Sequence, residues 1–176
     1  MNIQHPILAS REDGFSWIRC EGKGSFQNSP TMKEWGEKEI ESGCKILVID
    51  LEQCTGMDST FMGTMAGIAM RLMKISGGKL QVADPGEKNR QSLEDLGLDA
   101  LMEIEPEDCE WRNQTAEIRD RVEPCGDLLG KLDKAPHVLE AHQQLCAADE
   151  QNAEKFATVL EFLEAEVKSK QIAGNK

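Results

Sequence analysis

Residues 45–84 read KILVIDLEQCTGMDSTFMGTMAGIAMRLMKISGGKLQVAD, and the fold turns on this stretch. Ile46, Leu47, Val48, Ile49 and Leu51 make a continuous apolar run, the pattern of a strand buried on both faces at the centre of a sheet. After Asp58, the residues Phe61, Met65, Ile68 or Ala69, Leu72 and Ile75 recur at helical spacing, with small Gly63, Ala66 and Gly67 between them allowing close approach to another element. Gly77 or Gly78 can supply a left-handed C-cap, and KLQVAD resumes as a strand. Between strand and helix stands a polar cluster, Asp58, Ser59 and Thr60. Three readings of it compete: a helix cap, a nucleophile on a strand-to-helix turn, or a hydroxyl that another protein modifies.

Working outward, residues 14–22 (GFSWIRCEG) are rich in strand formers and closed by Gly22 and Gly24, so they read as a strand. Residues 28–43 carry Asn28 or Ser29 as N-cap, Pro30 in the first turn, apolar Met32, Trp35 and Ile40, and Gly43 as a stop, which is a surface helix. Residues 85–98 read as a helix ended by Gly97, and residues 100–106 as a last short strand stopped by Pro106. Strands alternating with helices in this way predict an α/β fold with a largely parallel sheet and helices packed on it.

Beyond Pro106 the pattern changes. Charges mix with Pro124, Gly126, Gly130 and Pro136, which reads as an acidic connector with short helical pieces. Residues 137–168 contain no Pro or Gly, and positions 139, 142, 146, 149, 153, 156, 160, 163 and 167 repeat at 3-4 spacing, predicting one helix. Docking of that helix on its own domain is favoured over self-association or partner binding, with a solvated tail third. The expected organisation is a domain over residues 1–106 and a helical extension over 107–176.

Composition narrows the function. With 20 Lys and Arg against 32 Asp and Glu the formal charge is −12, which repels nucleic-acid phosphates and anionic headgroups, so direct DNA or RNA binding is not expected. The chain shows neither a membrane-spanning apolar run nor a signal-peptide pattern at its N-terminus, and a cytoplasmic location is expected. Cys20, Cys44, Cys54, Cys109, Cys125 and Cys146 form no C-x-x-C pair and lack His at ligand spacing; they read as reduced packing thiols, with no metal site. A nucleophilic Ser59 needs a base, yet His5, His137 and His142 lie far away in sequence and no G-x-S-x-G surrounds it. No phosphate-binding loop occurs, and Cys54 lacks a neighbouring His, so neither NTP hydrolysis nor thiol catalysis is supported and no cofactor is expected.

The same stretch resembles the signature of STAS domains, the anti-anti-sigma-factor family: a hydrophobic strand, a loop, Asp58, Ser59 and Thr60, Gly63, a helix, Gly77 with Gly78, another strand, and later LEDLGLDALMEI. The resemblance covers about residues 13–105 and implies a STAS-like mixed, largely parallel sheet. It further implies that Ser59, with Thr60 or Thr55 as alternatives, is phosphorylated by an ATP-binding serine kinase that doubles as an anti-sigma factor. A metal-dependent serine phosphatase would reverse the modification. Asp58, Ser59, Thr60, Phe61 and Met62 would form the partner interface. Phe61 and Met62 depart from the family's usual Gly-Leu and add bulk beside the serine. The chain would be an anti-sigma-factor antagonist in a partner-switching pathway, not an enzyme. The alternative is a constitutive STAS subunit of a signalling scaffold or of a lipid-transport ATPase complex, with Ser59 a mere cap.

Overall fold

The computed structural model describes residues 6–126 and 135–174. The strands, in chain order, are β1 (Ile7–Arg11), β2 (Ser16–Cys20), β3 (Gly22–Gly24), β4 (Ile46–Asp50), β5 (Cys54–Met57), β6 (Lys79–Ala83), β7 (Glu103–Ile104) and β8 (Glu123–Pro124). Six of them form one sheet in the order β7-β6-β4-β2-β1-β8, and β3 pairs with β5 in a separate parallel ribbon. The pairs β2/β4, β4/β6 and β6/β7 are parallel, whereas β1 runs antiparallel to both β2 and β8. The fold is therefore α/β with a mixed, mostly parallel sheet. The apolar run at residues 46–49 lies inside it, as its lack of polar alternation requires.

Parallel neighbours need crossover connections, and helices supply them. Helix α1 (Ser29–Glu41) precedes β4, α2 (Ser59–Met73) connects β5 to β6, and α3 (Gly86–Asp95) with a 3-10 turn (Leu98–Ala100) precedes β7. Side chains alternate across each strand, so one face of the sheet presents Ile18, Leu47, Ile49, Leu80 and Val82 to Met32, Phe61, Met65, Ile68 and Leu72 of α1 and α2. The opposite face presents Trp17, Val48 and Ala83 to a second, smaller core with Phe15, Trp111 and Ile118.

The second face is closed by residues 107–124, part of the stretch whose charges read as a connector. It carries α4 (Thr115–Arg121) and β8, which joins the sheet edge at Leu8↔Pro124 and Ala9↔Glu123. Trp111 is fully buried, lies edge-on to Trp17 at 5.5 Å, and donates its indole N–H to Gln81 Oε1 at 2.8 Å. Arg119 reaches the wholly buried Asp50 at 2.9 and 3.0 Å, Asp84 at 2.7 Å and Glu52 at 2.6 Å, while Arg19 holds Asp50 from the other side at 2.6 Å. Burial would lower the affinity of both guanidinium groups for their protons, but the carboxylates outweigh it and the net effect holds both above their ordinary range.

The single tail helix expected over residues 137–168 is instead three: α5 (Ala135–Ala148), α6 (Glu150–Lys155) and α7 (Ala157–Gly174). Asp149 breaks the run. Its backbone is extended and its carboxylate accepts from Gln151 N–H, so a good N-cap outcompetes continuation of the helix. Fully buried Asn152 then ties the turn to the body by donating to the carbonyls of Leu96 and Leu145. The 3-4 seam is thus divided among helices: His142 is buried, Ala153 is exposed, and Leu163 is buried again. Among the described residues, no helix is long and apolar enough to cross a membrane.

Candidate functional site

Ribbon β3/β5 delivers the chain to the start of α2, and Asp58 fixes that start. Its backbone is extended (φ −88°, ψ 172°) and its Oδ1 accepts from Phe61 N–H at 2.8 Å, satisfying one of the helix's free donors. Its Oδ2 accepts from Phe26 N–H at 2.9 Å, and its own N–H donates to the Gly24 carbonyl at 2.9 Å. One side chain therefore caps α2 and pins the loop after β3. The capping role belongs to Asp58, which leaves the hydroxyl of Ser59, the first residue of α2, outside the helix's own hydrogen bonding.

That hydroxyl is half-buried and meets a residue 83 positions away: Ser59 Oγ lies 2.8 Å from His142 Nε2 on α5. His142 Nδ1 lies 2.8 Å from the Val138 carbonyl, which can only accept, so Nδ1 carries a proton, and in the neutral imidazole Nε2 accepts from Ser59. The imidazole is itself buried and stacks edge-on against Phe156 at 5.2 Å. One turn earlier on α5, His137 Nε2 lies 2.8 Å from Ser29 Oγ of α1 and 3.5 Å from Thr64 Oγ1 of α2. Lys33 pairs with Glu140 at 2.7 Å. Helix α5 thus lies across the N-terminal halves of α1 and α2.

The other residues singled out in the sequence spread in depth. Thr60 is buried, and its carbonyl accepts from Thr64 Oγ1. Phe61 sits wholly in the core with its ring against Gly24, where a Cβ would come within 2.9 Å of the ring. Met62 is nearly buried at 8% exposure. Thr55 is exposed on β5, with its carbonyl bonded to Lys88 Nζ at 3.3 Å. Asp58 and Ser59 are the members of the set that share a half-exposed surface. Cys54 is buried; a hydrogen bond from Cys20 holds its thiol below the ordinary range, at about 7, against burial, and Cys20 is raised by the same contact. All six cysteines are free.

The contact that sequence reasoning missed is His142. It stands at a seam position of the tail, but nothing local distinguishes it from a core histidine, and its pairing depends on the long-range packing of α5 along α2. A cavity of about 110 Å³ lies farther along the same helix pair, lined by Lys33, Thr64, Gly67, Arg71, His137 and Gln144 among others, and Ser59 is not part of its wall. Among the described residues, no group of three or more His, Cys, Asp or Glu is placed to hold a metal ion.

Comparisons with known proteins agree on the fold. The NMR structure of TM1081 superposes with a TM-score of 0.53 at 20% identity over 69% of this chain and 94% of that one. The crystal structure of TM1081 from Thermotoga maritima gives 0.52 at 21% identity, covering 63% and 92%. An anti-sigma factor antagonist from Mycobacterium paratuberculosis gives 0.52 at 20% identity, covering 66% and 96%. No curated protein matches the chain. The STAS domain family model matches residues 7–108, more than half of the 176 residues, and with the sheet order and the capped α2 start already described, this chain belongs to the STAS domain family.

Proposed function

We propose that this protein is a phosphorylation-gated interaction module of a partner-switching pathway, an anti-sigma-factor antagonist whose switch is the Ser59 hydroxyl. The observation that carries the reading is the division of labour at the start of α2: Asp58 does the capping, which leaves the adjacent serine with a hydroxyl the helix itself does not use. Unphosphorylated, the surface around Asp58 and Ser59 binds an ATP-binding serine kinase that doubles as an anti-sigma factor; phosphorylated, it releases that partner. A metal-dependent serine phosphatase resets it. The chain is the substrate of this chemistry, and magnesium, ATP and the catalytic base belong to the kinase.

Charge explains how one phosphate can switch binding. A phosphoserine adds about −1.5 to −2 charge, and at a helix N-terminus the free N–H groups and the dipole accept it, so the domain stays folded. Across an interface shaped for a neutral hydroxyl, an unpaired dianion costs on the order of several kcal/mol, and about 1.4 kcal/mol is tenfold in affinity.

The test is direct. Full-length protein is incubated with an extract of its source cells and ATP, and phosphate is mapped by mass spectrometry on wild type and Ser59→Ala. Phosphate on Ser59, with loss of labelling in the variant, supports the reading; unchanged labelling of Ser59→Ala would move the acceptor to Thr60 or Thr55. A second reading, a constitutive STAS subunit, draws on the His142 contact, which gives Ser59 a purely structural use. Under it, Ser59→Asp leaves partner capture intact.

A further inference from the structure

We infer that α5 is a displaceable cover over the Ser59 face, an internal competitor that must lift before Ser59 can be phosphorylated or bound by a partner; this rests on the reading of Ser59 given above. The cover follows a single stripe of α2. Ser59, Gly63 and Gly67 lie four residues apart and so share one face. His142 bonds the first, the Ala141 backbone sits on the second so closely that a Cβ at Gly63 would overlap its carbonyl oxygen, and Gln144 lies on the third. A phosphoryl group on Ser59 Oγ in the direction of its present hydrogen bond would overlap His142 Nε2, 2.8 Å away, and one turned towards the N–H groups at the start of α2 would cost the serine that bond, so phosphorylation and the closed contact compete.

The chemistry of the contact suits release. Much of it is polar or small: Ser59 with His142, Ser29 with His137, Lys33 with Glu140, and the Ala141 backbone on Gly63. Leu145 is the fully buried apolar anchor of α5, and Asn152 clasps its end. The polar contacts are regained with water when α5 lifts, so they oppose opening less than an apolar seam of the same extent would. The consequence for affinity is arithmetic: a partner that needs the open form binds more weakly by the fraction open, so an open population of about 1% weakens apparent binding roughly 100-fold. Phosphate on Ser59 holds the cover off.

A reversible lock tests this in the full-length protein. A Cβ at Gly67 would lie 4.0 Å from Gln144 Cβ, within the range a disulfide spans, so Gly67→Cys with Gln144→Cys can tie α5 to α2. Oxidised and reduced forms are incubated with a dialysed extract of the source cells and ATP, and phosphate on Ser59 is quantified; each single cysteine variant controls for the native thiols. The cover predicts at least tenfold slower labelling when oxidised, restored on reduction. His142→Ala, confirmed folded by circular dichroism, reports independently of the cross-link and should label several-fold faster than wild type. Equal rates in the oxidised and reduced forms, or an unchanged rate for His142→Ala, overturn the cover while leaving Ser59 as acceptor. Absence of phosphate on Ser59 in the reduced, wild-type and His142→Ala proteins alike removes the acceptor reading and the cover with it.

Discussion

Two segments that follow β7 cover opposite sides of the molecule, one on the second face of the sheet and one on the outside of α2, and the two are held by different forces. Residues 107–124 close the second face with an indole inserted against Trp17 and an arginine bound to three carboxylates, one of them at zero exposure. Helix α5 covers the helical side over α2 through histidine-hydroxyl contacts to Ser59, Ser29 and Thr64, an exposed ion pair, buried Ala141 on Gly63 and buried Leu145. Removing the first would leave a buried carboxylate short of a partner and an aromatic face in water. Removing the second returns hydroxyls and imidazoles to water, which hydrogen-bonds them nearly as well. The first closure is built to stay, and the second can be exchanged.

Substitutions on the two sides should separate accordingly. Trp111→Ala should have the largest effect, about 3–5 kcal/mol, because it leaves a large cavity beside Trp17 and strips Gln81 of its donor. In thermal unfolding that is a fall of roughly 10 °C at about 2–4 °C per kcal/mol. Arg119→Met should cost on the order of 3 kcal/mol in urea denaturation, since Asp50 stays buried with Arg19 as its remaining cationic partner. His142→Ala, across the sheet, should cost about 2 kcal/mol for a lost hydrogen bond and the contact with Phe156. Least of all, Lys33→Ala should change stability by about 0.5 kcal/mol or less, as an exposed pair. A His142→Ala protein less stable than Trp111→Ala would reverse the ranking and make α5 the permanent closure.

The central part of the fold is legible because its signals are long and local. The apolar run at 46–49, the 3.6-residue pattern of α2 and the glycines at 77 and 78 each fit one kind of element. Strand β1 escaped notice because five residues with Ile7 and Ala9 as its buried pair give too short a pattern. Trp111 and Ile118 are the apolar payload of a stretch otherwise full of charge, so the second core is invisible until the sheet offers Trp17. The break at Asp149 is not legible from Pro and Gly alone, because an aspartate that caps the next helix ends the previous one as firmly. Asp58 and Ser59 could be placed at the start of α2, but which of them caps is decided by backbone geometry that adjacent letters do not encode.

The buried Asp50 has a consequence for the order in which the chain can fold. Its partner Arg119, the indole at position 111 and the edge strand β8 all come after residue 108, where the family match ends. Synthesis proceeds from the N-terminus at about 5–20 residues per second. A nascent chain that has just released β7 therefore carries an assembled set of core strands whose far side is still open, with the Trp17 ring uncovered and the aspartate left with Arg19 as its cationic partner. Only when the next stretch, through Arg119 and β8 at Glu123–Pro124, emerges can that surface be sealed, which makes this interval of translation the moment at which the protein most needs protection from aggregation.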